Sequence, residues 1–192
     1  MGPVILGRGQ RGAMMIELLI SLVLVVVGVL GLIHLQLRLQ GMELESLQRT
    51  RALFILEDMA SRLLINRAHA ADYLTDPIAG VGADCEQIPA GDLAARDLAQ
   101  WCARLSGEAE QIGGLAVGAP LGARGCVQAL DENHYQLTVA WQGLRPLAPA
   151  SEAVSCGKHL FDMPAGSACA RRPDYCRRYI TTRLPVFVGA RP

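Results

Sequence analysis

Arg8-Gly9-Gln10-Arg11-Gly12-Ala13-Met14-Met15-Ile16-Glu17, followed by an apolar run from Leu18 to about Leu37, decides how this 192-residue chain is organised. The run contains no Asp, Glu, Lys or Arg. As a helix it reaches roughly 30 Å, about one hydrocarbon thickness. A secretory signal would be shorter and would carry a small-residue cleavage site after its apolar region. Here Gln36, Arg38 and Gln40 follow the run, and the cleavable feature, Arg11-Gly12, comes before it. Arg8 and Arg11 predict an N-terminus held on the cytoplasmic side, with the rest of the chain across the membrane.

A plain membrane anchor has good reason to exclude Glu17. A carboxylate inside a membrane helix is expensive when unpaired, and such a residue marks function by default. Cleavage after Gly12 would create an α-amine at Ala13. Glu17 lies four residues further on, so both groups share one helix face. The carboxylate would pair with its own amine or with that of a neighbouring chain. The second option turns a buried charge into a docking device.

Behind the run there is room for one small domain. Lys plus Arg and Asp plus Glu each number 18, so net charge is formally zero and no polyanion partner is implied. Cys85, Cys102, Cys126, Cys156, Cys169 and Cys176 all follow the apolar helix. With the predicted topology they fall in the oxidising periplasm, where disulfides persist. Six cysteines allow fifteen pairings, and sequence alone does not choose among them. Proximity favours Cys85 with Cys102 and Cys169 with Cys176, which leaves Cys126 with Cys156. A metal site built on Cys156, His159, Cys169 and Cys176 is the rival reading. No Cys-x-x-Cys pair exists and the spacings fit no common zinc module, so no metal or other cofactor is expected. His34, His69 and His134 are scattered and read as surface or core residues.

The helix continues beyond the membrane. From Arg49 to Asn66, Ala52, Leu53, Leu56, Ala60, Leu63 and Leu64 recur at helical spacing, with Ile55 and Met59 beside them. This half reads as an amphipathic helix packed on its own domain's sheet. Gly28, Gly31 and Gly41 each weaken the helix by up to about 1 kcal/mol relative to alanine, and in a bundle allow close approach. Asp76-Pro77 and Ile88-Pro89 argue against long elements after residue 72. One helix stands out, capped by Asp92, running through Leu93, Leu98, Trp101, Cys102 and Leu105 and stopping near Gly107. Gly113-Gly114 opens a loop that contains Gly118-Ala119-Pro120.

Strand signals come late. Gly125 to Leu130 and Tyr135 to Trp141 flank a turn at Asp131-Glu132-Asn133. In the second run Tyr135, Leu137, Val139 and Trp141 alternate with Gln136, Thr138 and Ala140. The pair reads as an antiparallel hairpin covering the long helix. Tyr175 to Leu184 is a third strand, ended or placed on an edge by Pro185. Residues 143 to 174 form a Gly, Pro and Ala-rich excursion stapled by cysteines.

Nothing in the chain reads as an enzyme: there is no Gly-x-Ser-x-Gly, phosphate loop or paired-carboxylate site. Ser155-Cys156 with His159 suggests a thiol nucleophile, against which stands the disulfide reading of the same cysteine. Arg171-Arg172 and Arg177-Arg178 form a basic patch that reads as a solvated face, with DNA, an anionic surface or an acidic partner subunit as alternatives. No nucleic acid is expected.

Gly12-Ala13-Met14-Met15-Ile16-Glu17-Leu18-Leu19 resembles the type III leader of type IV pilins and pseudopilins: glycine, usually phenylalanine, apolar residues, glutamate and a long apolar helix. Ala13 departs from the usual phenylalanine. Val27-Gly28-Val29-Leu30-Gly31-Leu32 with Leu35-Gln36 looks like the membrane helix of the PilV family of minor pilins, which act in type IV pilus modification. Glu57-Asp58-Met59-Ala60-Ser61-Arg62, with Asn66 just after, is similar to that family's Asp-Met-Ala-x-Arg segment before its asparagine. Asp97-Leu98-Ala99-Gln100-Trp101 and Leu137-Thr138-Val139-Ala140-Trp141 follow in the expected order.

The resemblance implies an α+β fold, a pilin-like lollipop with a long N-terminal helix packed on a small antiparallel sheet. It divides the chain into a cleaved cytoplasmic leader at 1–12, a transmembrane and assembly half of the helix at 13–40, an amphipathic half at 41–71 and a disulfide-stapled periplasmic head at 72–192. It implies a prepilin peptidase that cuts after Gly12 and N-methylates Ala13, with Glu17 pairing with a neighbour's amine. The implied function is a minor pilin that primes, and enters at low abundance, the type IV pilus, serving pilus biogenesis, twitching motility and adhesion. Its partners would be that peptidase, other minor pilins, the major pilin, the inner-membrane assembly platform and inner-membrane lipid. Before assembly it would be a single-pass inner-membrane protein, and afterwards part of the surface pilus. Two other readings stand beside it: a minor pseudopilin of a type II secretion system, and a membrane-tethered periplasmic binding protein.

Overall fold

The computed structural model describes residues 11–88, 91–162 and 166–187. Arg8 and most of the expected leader, Pro89 and part of the 143–174 excursion therefore lie outside the described residues. The fold is α+β, with one long N-terminal helix, a small antiparallel sheet and three disulfides. Two compact units divide it, one ending at Glu43 and one beginning at Leu44, and α1 (Arg11–Ile65) contributes to both.

In the first unit, every described side chain from Met14 to Gln40 is exposed. The Ser21 hydroxyl satisfies itself by donating to the Leu18 carbonyl at 2.9 Å, one turn back. Among the described residues none covers a stripe of this part of the helix. A helix apolar all round does not belong in water, because its exposed surface has no polar side.

The second unit has an ordinary core. Ala52, Ile55, Leu56, Met59 and Leu63 of α1 are buried at intervals of three and four, one stripe of a helix. This stripe is turned from the sequence expectation: Leu53 and Leu64 are exposed and Ala60 is only partly buried. The helical run also stops earlier than residue 71. Asn66 leaves the helical region at φ −99° and ψ 32°, and residues Arg67–Tyr73 form a 3-10 segment that buries Ala70 and Tyr73.

Helix α2 (Leu93–Ser106) begins where Asp92 accepts the Ala95 N–H at 3.0 Å, and ends at Gly107, whose φ of 82° needs no Cβ. Its Trp101 is fully buried and donates to the Ile55 carbonyl of α1 at 3.0 Å. Beyond it, Gly113-Gly114 does not simply open a loop. Both residues have positive φ, 61° and 81°, and turn a short hairpin of β1 (Gln111–Ile112) and β2 (Leu115–Ala116).

The main sheet runs β3-β4-β5, all antiparallel, from β3 (Arg124–Asp131), β4 (His134–Gln142) and β5 (Arg177–Pro185). Val127 faces Leu137, which faces Thr182. Tyr135, Leu137, Val139 and Trp141 join α1 and α2 in one core. Gly125 lets α2 approach β3, since a Cβ there would collide with the Trp101 ring and Leu105. The opposite face of β4 is buried too. Thr138 and Ala140 lie beneath a second cluster of Cys126, Val154, Cys156 and Phe161, supplied largely by the excursion after β4. Polar character at Gln136 and Thr138 therefore does not mark a wet face.

Candidate functional site

The residues expected to carry processing and docking fall in the first turns of α1. Gly12 and Ala13 are in the helix backbone, and Glu17 stands one turn after Ala13, exposed among Met14, Ile16 and Leu18. Among the described residues Glu17 has no ion-pair or hydrogen-bond partner. Among the described residues nothing compensates this carboxylate, and in an apolar surrounding an unpaired acid is costly. Gly28, Gly31 and Gly41 add to this picture. A Cβ at any of them would meet nothing within 4 Å, so no contact inside the chain explains why these positions are small. The arrangement offers a smooth apolar surface with a single anionic group near one end.

Asp58, Arg62 and Asn66, which carry part of the family resemblance, do something different. Arg62 Nε donates to Asp58 at 2.9 Å, while its Nη1 donates to Asp97 at 2.7 Å and to Gln100 at 2.8 Å. Arg104 also pairs with Asp58, at 2.9 Å. The Tyr73 hydroxyl donates to the other Asp97 oxygen at 2.6 Å and accepts from Asn66 at 3.2 Å. One network thus fastens α1, the 3-10 segment and α2 together. Burial pushes the Tyr73 phenol up to about 12, helped by its bond to Asp97. Burial works against the charge on Arg62, yet Asp97 and Asp58 together hold it above its ordinary value. These residues set the geometry of the second unit and present no reactive group.

Compared with known protein families, curated proteins and solved structures, the chain matches none.

The cysteines are joined as Cys85–Cys102, Cys126–Cys156 and Cys169–Cys176, at Cα separations of 5.5, 5.9 and 5.5 Å, and none is free. This removes the thiol nucleophile at Cys156 and every thiolate ligand of a zinc site. Ser155 is engaged as well, donating to the Pro77 carbonyl and accepting from Gln128, each at 2.8 Å. His159, Asp162 and Asp174 do converge, with one ligand atom from each lying within 4.8 Å of the others. Their carboxylates are already in use. Asp174 accepts the His159 N–H at 2.8 Å and pairs with Arg177 at 3.3 Å, and Asp162 accepts the Asp174 N–H at 2.7 Å. A guanidinium this close opposes a metal ion, and the cluster acts as a loop fastener.

The basic patch is divided by the fold. Arg177, with 1% of its side chain exposed, donates to the carbonyls of Val154, Cys156 and Ser151. Arg178 pairs with Glu45 at 2.6 Å and donates to the carbonyls of Tyr175 and Arg145. Only Arg171 and Arg172 face solvent. Sequence reasoning missed these internal roles. The signal available was that Arg177 and Arg178 lie within the predicted strand from Tyr175 to Leu184, where adjacent side chains take opposite faces.

Proposed function

We propose that this chain is a minor pilin of a type IV pilus, anchored through α1 before assembly and held to neighbouring subunits through the same helix afterwards. One observation carries the reading: an apolar helix uncovered on every side, with a lone uncompensated carboxylate at Glu17, one turn after the Gly12-Ala13 junction. Cutting after Gly12 gives Ala13 a free amine. That cation on one subunit and Glu17 on the next are complementary, and in a low-dielectric surrounding their attraction is strong. Glycines with no packing role inside the chain suit close helix approach in a bundle. The disulfides suit a domain that works outside the reducing cytoplasm.

Two measurements test this. Mass spectrometry of the mature protein should find an N-terminus at methylated Ala13, and a retained Met1 would sink the reading. Glu17→Ala should leave cleavage intact yet reduce incorporation into pili by about tenfold or more, scored by immunoblot of sheared fibres. Normal incorporation would show that amine docking does not operate here. A strain lacking the chain separates the nearest rival. Reduced pili with normal exoprotein secretion supports the pilus, whereas normal pili with failed secretion assigns the chain to the pseudopilins of type II secretion.

A further inference from the structure

Four arginines lie close together in the last part of the chain, and two are consumed inside the fold. The other two, Arg171 and Arg172, sit in the short loop closed by Cys169–Cys176. Within that loop the one carboxylate, Asp174, is buried and turned to Arg177 and the His159 amide. Among the described residues no acid pairs with Arg171 or Arg172, and none of the residues outside that set is acidic. Among the described residues their charge is therefore uncompensated.

These cations are also held in place. The Arg172 guanidinium lies over the Tyr175 ring, 5.4 Å from its centre. Stacking of this kind restrains the group while leaving its N–H edges free to donate. The Leu147 N–H donates to the Tyr175 carbonyl at 3.0 Å, bringing a second segment against the loop. Between them runs a groove of about 240 Å³, lined by Pro146, Leu147, Ala168, Arg171 and Arg172. Leu147 is exposed beside it.

We propose that this groove binds a carboxylate-bearing peptide segment of a partner protein, the acid held by Arg171 and Arg172 and an adjacent apolar side chain seated on Pro146, Leu147 and Ala168. Restrained guanidiniums match the planar fork of a carboxylate, and a disulfide-closed loop has little ordering left to lose on binding. A nucleic acid fits less well. The backbone of duplex DNA presents a charge about every 1.7 Å of axis, and either a duplex or a single strand calls for a longer cationic track. Its bases need a free aromatic platform, whereas Tyr175 is already covered by Arg172.

The full chain in an uncharged detergent can be titrated against a fluorescein-labelled peptide of alternating leucine and glutamate, its glutamine counterpart and an oligothymidylate. The glutamate peptide should bind at least roughly tenfold tighter than the glutamine one. Replacing Arg171→Gln and Arg172→Gln together should abolish that preference, while Arg183→Gln on β5 leaves it unchanged. Resistance of all six cysteines to alkylation without reductant would show that each variant has kept its fold. Equal affinity for the two peptides, an unaffected double variant, tighter binding of the oligothymidylate or no binding of the glutamate peptide would each overturn the proposal. The inference is independent of the reading of α1, and its failure would leave that reading untouched.

Discussion

The two stretches of α1 obey the same backbone geometry and differ in what surrounds them. From Met14 to Gln40 no described side chain is covered, and the residue types are apolar on all sides. From Ala52 to Leu63 five side chains are buried along one stripe, with Arg51, Glu57 and Arg62 at other positions. A helix of the second kind is stabilised by the domain it belongs to, since most helical stability in water comes from packing one face. The first kind draws nothing from its own domain. Something outside that domain must supply what the core supplies further along, and on the proposed reading it is lipid or neighbouring subunits.

The contrast can be broken most directly by matched truncations. Trp101→Ala, which empties the core against α1 and removes the bond to the Ile55 carbonyl, should destabilise the second unit by about 3 to 5 kcal/mol. Leu24→Ala should change the same unfolding transition by no more than about 0.5 kcal/mol. Denaturation in uncharged detergent, followed through Trp141, reads both. Comparable losses would mean that the two stretches are not energetically separate.

Removing Cys126 and Cys156 together, as alanines, tests whether the second unit also depends on its outer cover. On the chain-entropy account a loop of this length contributes about 3 to 4 kcal/mol, and the loss should appear in the same denaturation experiment. A still smaller effect sharpens the picture at the Tyr73 network. Tyr73→Phe should cost about 1 kcal/mol at neutral pH. The folded phenol ionises near 12 and its ordinary value is 10.0. Its contribution is therefore full below pH 10 and fades as pH rises through about 12. Unfolding measured between neutral pH and pH 11 should show the advantage over Tyr73→Phe beginning to shrink above pH 10. A constant difference would mean that Tyr73 is not the protected phenol described here.

Much of the fold was legible because its signals are local. Asp92 and Gly107 mark the ends of α2 through capping chemistry that needs only neighbouring residues. The alternation from Tyr135 to Trp141 names the strand and its core-facing set. What could not be read is set by distant partners. The buried stripe of α1 is fixed by Trp101 reaching Ile55 and by Asp97 holding Arg62, contacts 46 and 35 residues apart in sequence. The second buried face of β4 depends on a loop whose composition suggested only an excursion. Arg177 and Arg178 looked like neighbours of Arg171 and Arg172, and only the start of β5 turns them inward. For the candidate site the balance is different. Glu17 and the apolar run were evident at once, because an uncompensated acid in such a setting needs no tertiary information to be conspicuous.

The covered outer face of β4 rests on a covalent strap. Cys126 leaves the sheet from the same side as Thr138, and its bond to Cys156 pins Val154 and Phe161 over Ala140. Among the described residues the loop has no helix or strand of its own, and apart from that bond it is held by hydrogen bonds, those of Arg177 to the Ser151, Val154 and Cys156 carbonyls among them. A chain in which that bond is reduced would hold this cover by hydrogen bonds and packing alone. The state of one pair of sulfurs thus decides how firmly one side of the sheet stays covered.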